Sequence, residues 1–304
     1  MHSNRALPIV ISLTLLFFAA GLRAQPTGQL GAANRSREAT AEAAPTPALK
    51  RHGLIAKELL RWSAPGAGQG VAVDEKYFYG IGNTQVRKYD KKTGERVAEW
   101  IDRAGGTIVH FNSGYVENGV LVVSHSNFPH LPMASSIEYF DVSTLTPVKS
   151  HSLGIQHGSL TWATRNDGFW WACFANYNDR GTTPGLDNRW TYFGKFDDRW
   201  QILEAWIFPP ELVAAFGRSS CSGGSWGTDG ALYVTGHDAM ELYVLRLPKM
   251  GSVLELVTTI EVPFAGQAWA WDRSEPRTIY GITRKDSEVV VAQIPELPAE
   301  LLRP

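Results

Sequence analysis

A short unit recurs five times along this chain at a spacing of about forty residues, and each copy sets polar residues at the same two places. The copies are read from Gln69-Gly-Val-Ala-Val-Asp74, from Ser113-Gly-Tyr-Val116, from His157-Gly-Ser-Leu-Thr-Trp162, from Gly224-Ser-Trp-Gly-Thr-Asp229 and from Gln267-Ala-Trp-Ala-Trp-Asp272. Each begins with a strand of mostly small side chains. A turn follows, often an Asx-Gly pair (Asn118-Gly119, Asp167-Gly168, Asp229-Gly230), and then an aromatic and β-branched strand such as Phe169–Phe174 or Leu232–Thr235. Asx-Gly between two strand-like runs is a hairpin signal. A third strand ends in an aromatic and an acid (Tyr89-Asp90, Phe140-Asp141, Phe196-Asp197), and a fourth follows, as in Arg96–Trp100, Ile202–Trp206 and Leu254–Val257. Four antiparallel strands repeated at this period describe the blades of an all-β propeller.

The ends of the repeat region predict how the ring closes. The last copy runs into proline-rich sequence after Val289–Gln293 and lacks a fourth strand. Ahead of the first copy, Leu54–Trp62 reads as an orphan fourth strand ending in Trp, as two others do. This segment is expected to complete the last blade, which gives five blades and covers edges that would otherwise invite pairing. A sixth blade hidden in the longest spacing is the alternative. That spacing carries two insertions, 178–189 and 209–223, the second with a short helix expected from Pro209 to Phe216. A third long loop, 128–135, leaves blade two. Loops of this length are usually functional or disordered.

Outside the repeats, residues 1–24 read as a secretory signal: Arg5, an apolar run from Ile9 to Ala20, then Leu22-Arg-Ala24. Residues 25–50, rich in Ala, Thr, Pro, Ser and Glu, read as a disordered linker, and 51–304 as one propeller domain. The mature protein is thus expected in the periplasm or outside the cell, with no membrane association once the signal is removed. Its 29 basic and 30 acidic residues create no net field, which argues against a nucleic-acid partner. Cys173 and Cys221, on adjacent repeats, are open to two readings: one disulfide or two buried thiols.

In a propeller the starts of the inner strands and the ends of the second strands share one face around the central channel. Both are polar here. The first set is Gln69, Asn112 with Ser113, His157, Ser222 and Gln267. The second is Asn83, His125 with Asn127, Asn176, His237 with Asp238, and Arg284 with Lys285. Three readings stay open. Asn127, Asn176 and Asp238, with Asn83, offer oxygens to a hard cation such as calcium. His110, His125, His157 and His237 offer imidazoles to zinc or another transition metal. Without a metal, His157 or His237 acts with Asp238 as an acid–base pair on an organic substrate. Against all three stands the ordinary role of such residues, which is to satisfy loop backbone. Trp226 and Trp269, on inner strands, are candidates for stacking a sugar or aromatic ring, with blade packing as the alternative. Arg284 favours a carboxylate or phosphate.

The units Gln69–Asp90 and Gly224–Leu245, with their Asp-Gly turn and Leu-Tyr-Val-Thr strand, resemble the repeats of secreted propellers: quinoprotein-like propellers, gluconolactonase and paraoxonase-type lactonases, and five-bladed glutaminyl cyclotransferases. The likeness spans nearly all of residues 53–293 and implies the fold. The lactonases hold a catalytic calcium with Asn, Asp and Glu, and Asn127, Asn176 and Asp238 match part of such a set. The leading expectation is an exported enzyme acting on a small polar or carboxylated molecule at the channel mouth, by hydrolysis, lactone opening or cyclisation. In it His157, His237 and Asp238 are catalytic. Gln69, Ser222, Trp226, Gln267, Trp269 and Arg284 bind substrate, and His125, Asn127, Asn176 and Asp238 hold any metal. The alternative is a non-catalytic propeller that binds a sugar or a protein ligand.

Overall fold

Alternation explains why this chain makes blades rather than a two-layer sandwich. On the second strands, successive side chains point to opposite faces, and both faces are apolar. In Val120–Ser126, Leu121 and Val123 pack toward blade one while Val122 packs toward blade three. In Phe169–Ala175, Trp170 and Ala172 face blade two while Trp171 and Cys173 face blade four. A strand buried on both sides needs a sheet against each face, and a closed ring supplies that for every blade. The core is therefore five wedges between neighbouring blades, the largest built on Trp162, Trp171, Phe193, Trp206 and Trp226.

The computed structural model describes residues 45–302. The expected signal, 1–24, and the linker as far as residue 44 lie outside the described residues. Of the rest of that linker, Leu49 packs partly buried against the wedge between blades three and four. Blade one comprises Gly70–Val73, Tyr77–Gly82, Gln85–Asp90 and Arg96–Ile101. Blade two comprises His110–Glu117, Val120–Ser126, Ala134–Asp141 and Pro147–Ile155. Blade three comprises Ser159–Asn166, Phe169–Ala175, Tyr192–Phe196 and Ile202–Ile207. Blade four is built from Gly223–Trp226, Leu232–Thr235, Glu241–Arg246 and Glu255–Glu261. Blade five has Ala270–Asp272, Thr278–Thr283 and Glu288–Gln293. Its fourth strand comes from the other end of the domain: Lys57–Ser63 pairs antiparallel with Glu288–Gln293, Trp62 opposite Val289.

The ring is thus five-bladed and closed by an N-terminal strand, with one correction. The expected closing segment Leu54–Trp62 divides at Ala56. Before that residue, Arg51–Ile55 runs parallel to Glu255–Glu261 and adds a fifth, outermost strand to blade four. The N-terminal segment therefore joins two blades.

Hairpins follow their turn chemistry. Asn118-Gly119 and Asp167-Gly168 have positive φ at both positions, the type I′ geometry that suits the twist of the strands. The inner strands are short and small for a spatial reason. A Cβ on Gly70 would stand 2.6 Å from Ala268 Cβ and 2.8 Å from Asn112 O, and one on Gly223 would stand 2.7 Å from Ala268 Cα. Neighbouring inner strands approach there more closely than a side chain allows. The helix expected after Pro209 forms as Pro210–Ala215 and buries Leu212 and Phe216 in the largest wedge. Among the described residues no helix is long and apolar enough to cross a membrane.

Candidate functional site

The inner strands begin at one end of the channel, around a cavity of about 240 Å³. Blade one supplies Gln69, blade two His110 and Asn112, blade three Thr161, blade four Ser222, His237 and Asp238, and blade five Gln267 and Arg284. The long loops add Phe128, then Tyr177, Asp179 and Arg180, then Ser219. Chain segments far apart in sequence meet here because every blade presents the same strand ends.

The floor of the mouth is made of buried amides held in place. Gln69 Nε2 donates to Asn83 Oδ1 at 2.6 Å. A register shift between Phe111 and Gly114 lets Asn112 reach across to blade three, where Nδ2 donates to Leu160 O at 2.8 Å. Gln267 takes up φ +62, a left-handed conformation uncommon outside glycine. Its N–H donates to Gly236 O, its carbonyl accepts from Thr235 Oγ1 at 2.6 Å, and its side chain reaches His237 O at 3.3 Å. Strain of this kind persists where surrounding bonds over-determine it.

Above this floor sit the ionisable groups. His237 Nδ1 and Asp238 Oδ1 are 2.6 Å apart, and His237 Nε2 lies 3.4 Å from a guanidinium nitrogen of Arg284. With Nδ1–H donated to the carboxylate, Nε2 keeps its lone pair. His110 lines the same cavity beside the Phe128 ring, 5.2 Å between centroids. Burial, then the positive charge of Arg284, holds its pKa down to about 4, so it is neutral at physiological pH. Arg180 lies over Phe128, 5.7 Å from the ring centroid, and Phe128 packs on Tyr177 at 5.0 Å. Among the described residues neither Arg180 nor Arg284 has a carboxylate within 4 Å. Of the two acids present, Asp238 is taken by His237 and Asp179 reaches Arg218 at 3.4 Å.

The other residues singled out from sequence lie elsewhere. His157 is exposed and outside the cavity, and its carbonyl accepts from Asn176 Nδ2 at 2.8 Å. The second Asn176 bond goes to Trp190 O, while its buried Oδ1 meets no donor. Asn127 ties its own loop, accepting from Ala134 N and donating to Pro132 O, both at 2.9 Å. His125 has both ring nitrogens engaged. Nε2 accepts from Val109 N at 3.1 Å, so Nδ1 carries the proton toward Ser136 Oγ at 2.9 Å. Trp226 packs edge-on against Trp171 in the wedge between blades three and four. Trp269 packs against Trp271 at the far end of the channel. Neither indole is at the mouth.

These bonds bear on a metal. His125, Asn127 and Asn176 do not line the cavity that holds Asp238, and His125 and Asn127 would give up existing bonds to ligate an ion. Among the described residues no three His, Cys, Asp or Glu side chains are grouped to hold a metal ion. The set does not fit a shared cation. Sequence reasoning passed over Tyr177, Asp179 and Arg180, which reach the mouth on a loop whose path no periodic pattern reveals.

No protein-family model matches the sequence, and no curated protein does. Among solved structures, the fold is similar to that of the glutaminyl cyclase of Myxococcus xanthus. The TM-score is 0.55 at 10% sequence identity, covering 82% of this chain and all of that one. The likeness is one of architecture: the chain is a five-bladed β-propeller of the kind that the cyclase also adopts.

Proposed function

We propose that this protein is an enzyme acting on a small carboxylate-bearing molecule at the channel mouth, outside the cytoplasm if the expected signal is used. The observation that carries this reading is the His237–Asp238 pair, with Nε2 facing a cavity that also holds two guanidinium groups without carboxylate partners. Asp238 fixes the tautomer. His237 Nε2 takes a proton from the nucleophile and returns it to the leaving group. Arg284 and Arg180 anchor the substrate carboxylate. A cavity of about 240 Å³ limits the substrate to a molecule of amino-acid or hydroxy-acid size. Lactone opening, amide hydrolysis and cyclisation need the same proton inventory and differ in whether the nucleophile is water or part of the substrate. That a protein of the same fold is a glutaminyl cyclase supports the scaffold's suitability and no more.

The test is turnover of a panel of small carboxylated lactones, amides and γ-amido amines, followed by NMR. His237→Gln is expected to lower kcat by about 100-fold or more, and Arg284→Met to raise KM chiefly. Unchanged kcat in His237→Gln would remove the assigned role. The exposure of Asp238 favours a second reading, a non-catalytic ligand-binding propeller. Saturable binding without turnover across the panel would select it.

A further inference from the structure

The far end of the channel holds a second, smaller polar site. A cavity of about 30 Å³ lies among the inner strands, with Ser113, Thr164, Ser225, Trp269, Trp271 and Arg273 on its walls. That volume suits one or two water-sized occupants. The indole N–H groups of Trp269 and Trp271 and the Arg273 guanidinium can only donate, and beside them stand the hydroxyls of Ser113, Thr164 and Ser225. Ser113 Oγ, Trp269 Nε1 and Trp271 Nε1 are buried and find no partner within the protein, and Ser113 and Trp269 are themselves almost wholly buried. A buried donor left without a partner loses its bonds to water and gains nothing in return. Thr164 Oγ1 and Ser225 Oγ lie 3.3 Å apart. Arg273 reaches in from the exposed lower rim, donating to Trp226 O at 2.6 Å and toward Ser225 Oγ at 3.5 Å.

Among the described residues Arg273 has no carboxylate within 4 Å, and no Asp or Glu lines the cavity. Three acids that share the outer surface with Arg273 are engaged elsewhere: Glu117 with Arg165, Asp74 with Tyr79 and Asp272 with Lys91. A cation, two unpaired indole N–H donors and an unpaired hydroxyl able to donate, with no acid on the cavity walls, match an acceptor that donates nothing. We propose that this cavity binds one small monovalent inorganic anion of halide type, which draws the five blades together at the axis. The inference is independent of any activity at the mouth.

The test is thermal unfolding of the full chain at constant ionic strength with chloride replacing gluconate, together with bromide soaks of crystals. Chloride is expected to raise the midpoint saturably, by about 3–5 °C at tenfold excess over its Kd. Bromide is expected to give an anomalous peak between Trp269, Trp271 and Arg273. Arg273→Gln should lose the chloride-dependent rise. Equal midpoints in the two salts, or a water molecule and no bromide at this position, would overturn the proposal. If Arg273→Gln does not fold, the wild-type soak decides alone.

Discussion

The acid that ends the inner strand of blade one has a measurable structural task. Asp74 Oδ1 accepts the N–H groups of Lys76 and Tyr77, each at 2.7 Å, and Oδ2 accepts the Tyr79 hydroxyl at 2.6 Å. The Tyr79 ring is fully buried, and burial followed by the Asp74 bond pushes its phenol well above the usual range. Asp74→Ala removes a charged acceptor from three donors and leaves one hydroxyl unsatisfied in the core. A charge-assisted bond is worth about 1.5–3 kcal/mol, but Asp74 is partly solvated and water replaces part of the turn bonding, so the expected loss is about 2–4 kcal/mol. For a domain of this size that lowers Tm by about 5–12 °C. Tyr79→Phe should cost about 1–2 kcal/mol, and the double variant should cost less than the sum by a similar amount. Urea unfolding of the four proteins measures the coupling. Strict additivity would refute the reading, because two residues that share a bond cannot be independent. Blade four offers a replicate, with Tyr233 donating to Asp229 Oδ2 at 2.5 Å.

Lys91 Nζ meets Asp272 Oδ2 at 2.5 Å in a nearly buried pair between blades one and five, so Lys91→Met should destabilise by about 3–5 kcal/mol and the double variant with Asp272→Asn by less, read by denaturant unfolding. Cys173 and Cys221 are both free and buried, and burial holds the Cys173 thiol well above its ordinary pKa. Neither should react with a thiol reagent until the protein unfolds, and both should then react. His110, at about 4 against about 6.5 in the unfolded chain, binds its proton more weakly when folded. Its contribution is therefore fully present above about pH 6.5 and is lost as pH falls toward about 4. The stability difference between wild type and His110→Gln should show this slope, and Arg284→Met should reduce it.

Fold and site differed in how far the sequence exposed them, for physical reasons. Blade count and closure were legible because period-two apolar runs, Asx-Gly turns and a shared terminal Trp are local signals. The division of Leu54–Trp62 at Ala56 was not, since a parallel edge strand and an antiparallel one have the same side-chain pattern. At the channel face, register identified which strand ends are polar but not what each polar side chain bonds. Asn127 and Asp238 occupy equivalent positions, yet Asn127 spends both amide arms on a loop containing Pro129 and Pro132, whereas Asp238 meets a neighbouring histidine. Side chains of one type at one register diverge once their loops differ in length.

The pairing of Lys57–Ser63 with Glu288–Gln293 also sets a timetable. On a ribosome Lys57–Ser63 emerges early and finds no partner until the last blade has been made. Until then its neighbour Arg51–Ile55 has only Glu255–Glu261 to join, some thirty positions sooner. Completion of the ring is thus a late event governed by contacts across nearly the whole chain, and such long-range closure is slow. The same delay works in reverse: blade five cannot leave the ring intact as a sheet without first releasing this strand, so opening at that position should follow the rate at which one seven-residue strand lets go.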